Sequence, residues 1–425
     1  MKMMEHYFQQ KLFLESKIEK FAELTVKTGL NIQKGQLLLI NASVEHVPQV
    51  RKLVEAAYKA GAGEVIVNWS DPICGKMTMI NADEEALKRH PQWEFDKARD
   101  YQKRGCAAIN ILSSDPKLME DVDSGRIGRI EKAHAEAMKG NEDIKNYTAK
   151  NEGQWCIISF PNPRWAKMVF PYCSEVEAIN RMWDDIFYMC RITNDNDPIA
   201  EWKKHTDKII EHKKVLTEYQ FKELRCKNSL GTDIVVGLVD NHAWAGGAMT
   251  TTKGVSFIPN LPTEEVFCMP HNKKTNGKVF ASKPLCISGK LVKDFWFEFK
   301  DGVVVDFGAS ENYESLKNFL NTDEGAKHLG EIALISHDSP ISNLGRIFYN
   351  GLIDENASCH MAVGTSFPYN IKNGTDLSEE ELKARGSNIS MVHLDFMFGT
   401  RDMSIIGIDQ NNKEVQVFKD GNFVF

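Results

Sequence analysis

The stretch "GQLLLINAS" is a short apolar run, and "VPQVRKLVEAAYKAGA" after it repeats apolar positions at helical spacing. The alternation then recurs. "GEVIVNWSD", "CAAINILSSD" and "QWCIISFPNP" read as further buried strands, and "GRIGRIEKAHAEAMKG" reads as the helix before the last of them. Apolar runs separated by helices predict parallel βαβ units. No G-x-G-x-x-G follows the first strand, so the dinucleotide fingerprint is absent. Two helical segments follow, "SEVEAINRMWDDIFYMCRI" and "DPIAEWKKHTDKIIEHKKVLTEYQ". The second carries a charged face and reads as a connecting helix.

From about Lys222 the period changes. "KELRCKNSLGTDIVVGLVD" alternates and turns at a glycine, as a hairpin does, and "KPLCISGKLVKDFWFEFKDGVVVDFGA" continues with strands and a D-G turn. A helix is expected in "ENYESLKNFLNTDEGAKHL", followed by the strands "GEIALIS", "ASCHMAVG" and "SMVHLDFMFG". In "NIKNGTDLSEEELKARGSN", Ser378 precedes Glu381 at capping-box spacing. The fold class is therefore α/β. An N-terminal α/β domain with a mainly parallel sheet (1–221) precedes a C-terminal α+β domain with a mixed, mainly antiparallel sheet (222–425).

Composition narrows the function classes. A chain of 425 residues is too long for one ordinary core. Its 42% hydrophobic and 26% charged residues describe a soluble globular protein. A net charge of -7 argues against nucleic acid or an anionic membrane as a bulk partner. The start, "MKMMEHYFQQKLFLESKIEKFAEL", reads as an amphipathic helix without the apolar core of a signal peptide. The nine cysteines are scattered and form no C-x-x-C pair, which fits free thiols in the cytoplasm.

The candidate chemistry sits in the second half. In "SMVHLDFMFGT", His393 and Asp395 alternate with apolar residues, so both point to one face of a strand. Imidazole and carboxylate are both ligands for zinc-like ions. Glu264 and Glu265 are adjacent in "NLPTEEVF", Glu331 opens "GEIALIS", and His360 lies among small and apolar residues. Each has a plainer reading: a solvated strand face, a helix-start carboxylate, an edge charge, a hydrogen-bonded core histidine. Counting one carboxylate from the Glu264–Glu265 pair, they make an inventory of two histidines and three carboxylates, which suits two divalent ions and hydrolysis.

The blocks "NLPTEEVF", "GEIALISHDSPIS", "FYNGLIDENASCHMAVG" and "VHLDFMFG" resemble the signature segments of the thermophilic-type metallo-aminopeptidases, peptidase family M29. The resemblance spans most of the chain and is densest from about Leu224 onward. It implies a cytoplasmic homodimeric exopeptidase with a co-catalytic pair of zinc, cobalt or magnesium ions acting on peptides with a free N-terminus. Block by block, it implies Glu265, Glu331, His360, His393 and Asp395 as metal ligands, with Glu331 bridging. Glu264, beside the first ligand, is the candidate general base. The family's ligand tyrosine falls here on Phe367, which has no oxygen, and Tyr369 lies two residues on. That departure leaves open a catalytically weakened peptide-binding relative, or a two-metal hydrolase of another amide.

Overall fold

The computed structural model describes the backbone of residues 2–113, 115–287 and 290–425, and within those ranges the side chains from residue 13 onward except residue 124. The chain forms two compact units. The first comprises Met1–Thr206 with Ala248–Pro262, and the second Asp207–Gly247 with Thr263–Phe425.

The first unit is built on a parallel sheet. Its strands lie in the order Asn260–Leu261, Trp155–Ser159, Ala107–Leu112, Leu37–Ser43, Glu64–Ser70. All neighbours run parallel, as the alternation with helices requires. The helix Val47–Lys59 turns Val50, Leu53 and Ala57 inward, the spacing of one helical face. The edge strand Asn260–Leu261 comes from a late segment, a pairing with no sequence pattern to announce it.

Among the described residues, the second unit holds two large antiparallel sheets and an antiparallel strand pair, Leu285–Ile287 with Lys290–Val292. An eight-stranded sheet runs Val303–Gly308, Trp296–Lys300, Pro270–Phe280, Asp233–Leu238, Glu223–Lys227, Ser404–Ile408, Glu414–Lys419, Asn422–Phe423. The expected hairpin turns at Gly231 (φ 108°), and the D-G turn places Asp301 and Gly302 at φ 49° and 84°. The five-stranded sheet has the order His393–Met397, His360–Gly364, Leu329–Leu334, Val266–Cys268, Ala245–Gly246. One face of this sheet belongs to the core: Ile332, Leu334, Met361, Val363 and Phe396 are buried in one cluster with Phe295 and Phe297. The rings of Phe297 and Phe396 meet edge-on at 5.1 Å.

The helix expected across "ENYESLKNFLNTDEGAKHL" is shorter, Tyr313–Leu320, with a separate 3-10 turn at Gly325–Lys327. Between them the carboxylate of Asp323 accepts from Ser390 Oγ at 2.7 Å and from the Met391 N–H at 2.6 Å. That tertiary tie fixes the approach to the His393 strand and overrides a continued helix. The capping box at Ser378 and Glu381 is formed. Among the described residues, no helix is long and apolar enough to cross a membrane.

Candidate metal centre

The second face of the five-stranded sheet follows from its register. Glu331 pairs with Ala362, and Ala362 with Asp395, so the three share one row. His360 lies two residues before Ala362, and His393 two before Asp395. By strand alternation all four polar side chains leave the same face. Glu265 sits two residues before Phe267, which pairs with Ala333, itself opposite His360. The small residues Ala362 and Gly364 keep the centre of this face low. Gly364 has φ 115°, and a Cβ there would lie 2.1 Å from the Val392 carbonyl oxygen.

The five residues predicted from sequence converge. Glu265, Glu331 and His360 offer ligand atoms within 4.8 Å of one another, and so do Glu331, His393 and Asp395. Glu331 belongs to both groups, and its two oxygens divide between the histidines. Oε1 is 3.5 Å from His360 Nε2, and Oε2 is 3.6 Å from His393 Nε2. His360 Nε2 also lies 3.4 Å from Glu265 Oε2, and His393 Nε2 lies 3.4 Å from Asp395 Oδ1. These separations would fit atoms around a shared divalent ion. With zinc about 2.0–2.1 Å from nitrogen and oxygen ligands, the edge of a tetrahedron is roughly 3.3 Å.

Both imidazoles are oriented from behind. His360 Nδ1 donates to the Glu355 carbonyl at 2.8 Å, and His393 Nδ1 donates to the Thr365 carbonyl at 2.8 Å. A carbonyl can only accept, so each Nδ1 carries its proton and each Nε2 is turned toward the carboxylates. This is the arrangement that metal-ligating histidines use.

The electrostatics point the same way. Burial raises the Glu265 pKa, His360 lowers it, and the charges of Glu331 and Asp395 raise it again, leaving it at about 8. Burial pulls His360 down, but Glu331, Glu265 and Asp395 outweigh it and hold it at about 10. His393 is likewise lowered by burial and lifted to about 10 by Asp395 and Glu331. Asp395 is pushed up by burial and brought below its ordinary range by the two histidines. Negative charge packed this densely needs cations, and without a metal only protons supply them.

A group whose folded pKa is raised stabilises the fold fully below its unfolded pKa and loses that contribution as pH rises through the folded value. For His360 and His393 the window runs from 6.5 up to about 10. The metal-free protein is therefore expected to melt at progressively lower temperature across that window. Zinc, which needs the same nitrogens deprotonated, should release protons on binding near neutral pH. Calorimetry in buffers of different ionisation heat measures that release, and a proton count of zero would contradict the assignment.

Sequence reading missed Glu355. In "LIDENAS" it reads as the polar end of a short helix. The structure half-buries it. Its pKa is raised well above the ordinary range by burial, then by the charges of Asp395 and Glu265. Its own carbonyl orients His360, so this residue meets the centre through both backbone and side chain. Glu264 is half-buried, and its N–H donates to Asn356 Oδ1 at 2.8 Å. Phe367 packs its ring 4.9 Å from His393 and stacks on Tyr369 at 5.3 Å. Burial raises the phenol of Tyr369, and the charges of Glu331 and Glu265 raise it further.

This chain belongs to the thermophilic metalloprotease family, M29, which it matches over residues 14–423. Its relatives carry more particular names. It is 43% identical to aminopeptidase 2 of Geobacillus stearothermophilus, over 97% of this chain and 98% of that one. It is 38% identical to aminopeptidase T of Thermus aquaticus, over 96% and 98%. The structure titled wild-type AmpT from Thermus thermophilus superposes with a TM-score of 0.89 at 36% identity, covering 97% of this chain and 100% of that one.

Proposed function

We propose that this chain is a cytoplasmic metallo-aminopeptidase that hydrolyses the N-terminal peptide bond of peptides with a co-catalytic pair of divalent ions. Membership of the metalloprotease family supports a divalent metal, and the aminopeptidase names of its relatives support the substrate class. The observation that carries the two-ion reading is Glu331, one carboxylate common to both ligand groups with an oxygen turned to each histidine. In this reading Glu265, Glu331 and His360 hold one ion, and Glu331, His393 and Asp395 hold the other. Glu355 adds a further carboxylate. Tyr369 brings the phenolic oxygen that Phe367 lacks.

Mixed nitrogen and oxygen donors suit zinc-like ions better than calcium, and the family resemblance implies zinc, cobalt or magnesium. When bound, such ions supply Lewis acidity, polarising a scissile carbonyl and making water a stronger acid. The chain supplies the proton transfers. The Glu264 carboxylate takes a proton from the attacking water and returns it to the departing amine. Its place beside Glu265, on a loop held by Asn356, supports that role.

The test is release of the N-terminal residue from short peptides by metal-free protein, then with zinc, cobalt or magnesium restored, against N-acetylated controls. Metal-dependent release that acetylation blocks is expected. Phe367 favours a second reading, a peptide-binding relative with weakened catalysis. Absence of release despite bound metal would select it, and release indifferent to acetylation would select a hydrolase of another amide.

The second domain is catalytic in this account, and the first serves dimerisation. The helix Pro72–Asn81 buries none of its residues, and Met77, Ile80 and Trp93 of the same unit are 58%, 47% and 63% exposed. Such an apolar surface suits a second copy of the chain. Light scattering should give twice the 48.2 kDa of one chain, and Ile80→Glu should lower it toward one. Wild-type protein at the mass of a single chain would contradict the homodimer.

A further inference from the structure

Beside the ligand strand lies a cavity of about 170 Å³. Its walls combine Glu355, His393 and Asp395 with the apolar Leu285, Leu291 and Met397. That volume falls below the roughly 300 Å³ at which pockets for drug-sized ligands begin. It has room for one side chain and not for a length of peptide.

Tyr349 also lines this cavity, and its backbone is unusual. It stands at φ 56°, the left-handed region that an aromatic residue rarely adopts. The buried carboxylate of Asp354 holds it there, accepting from the Phe348 N–H at 2.8 Å and from the Asn350 N–H at 3.1 Å. Both neighbours of Tyr349 are thus pinned by one group. Backbone strain maintained by its surroundings is concentrated at ligand sites. Nothing in the ligand geometry of the metal centre requires Tyr349 to take this conformation.

We propose that this cavity is the subsite for the side chain of the substrate's N-terminal residue, and that it selects aliphatic side chains of leucine or methionine size. The proposal rests on the aminopeptidase reading and adds its substrate preference. A peptide whose first carbonyl reaches the metal centre has its first side chain two bonds from the carbonyl carbon, which places that side chain at the edge of the centre. Leu285, Leu291 and Met397 favour burial of an apolar group there. Asp395 is assigned to a metal ion and the Asp354 carboxylate accepts from two backbone N–H groups, so a charged side chain between Leu285, Leu291 and Met397 would lose water at a cost. A bulky indole exceeds the space.

Two measurements test this. The first is kcat/KM of the metal-loaded enzyme on dipeptides beginning with Ala, Leu, Met, Trp and Lys. Wild type should prefer Leu and Met. Leu291→Trp should lower the Leu-to-Ala ratio at least tenfold, since a single methylene in an apolar pocket is worth about 10–200-fold. Leu291→Ala should raise the Trp-to-Leu ratio. Leu285→Ala, on the strand paired with that of Leu291, repeats the second test if a Leu291 variant does not fold. The second measurement is calorimetric binding of leucinol against alaninol, which needs no turnover. Tighter leucinol binding without peptide release would uphold the subsite and sink the peptidase reading. Ratios unmoved by the Leu291 and Leu285 variants, with release intact, would overturn the subsite alone.

Discussion

Glu331→Gln is expected to leave a folded protein that has lost both proposed metal ions and nearly all activity. Glu331 is 5% exposed and sits mid-strand, so the isosteric amide preserves packing while removing charge from a buried position. Each ligand group contains it, and each histidine faces one of its oxygens. Loss of a group that merely orients a ligand costs about 10–100-fold, so loss of a shared ligand should exceed that range. Elemental analysis should show metal per chain falling toward zero, and the histidines should titrate lower once this charge is gone. A Gln variant that keeps two ions would remove Glu331 from the bridging role.

Glu264→Gln is expected to do the opposite to metal and the same to turnover. The residue lies outside both ligand groups, so metal content should match wild type. A general base contributes about 10²–10⁴-fold, and kcat should fall by that order with KM little changed. If turnover survives, the proton goes to another group, and Glu355 is the next carboxylate to replace.

The parallel sheet was legible in the sequence because its strands are near-continuous apolar runs between helices. The ligand strand was legible because His393 and Asp395 interrupt an otherwise apolar alternation. Glu265, Glu331 and His360 were different. Each alone read as readily as an edge charge or a core histidine, and only the ordered blocks of the family resemblance singled them out. Their convergence depends on antiparallel register, in which Glu331, Ala362 and Asp395 share a row, and no local period encodes register between distant segments. Glu355 escaped because its signal is purely tertiary: a helix-end carboxylate whose own carbonyl orients His360. The overlong helix failed for a related reason. Asp323 is claimed by Ser390 and Met391, sixty-odd residues on, and that contact stops the helix where propensity alone would carry it further.

Two divalent ions are proposed to share the Glu331 carboxylate. The most direct measurement is anomalous diffraction from crystals grown with zinc or cobalt. Two peaks per chain are predicted, one among Glu265, Glu331 and His360 and one among Glu331, His393 and Asp395. A single peak, or a second one away from Glu331, would contradict it.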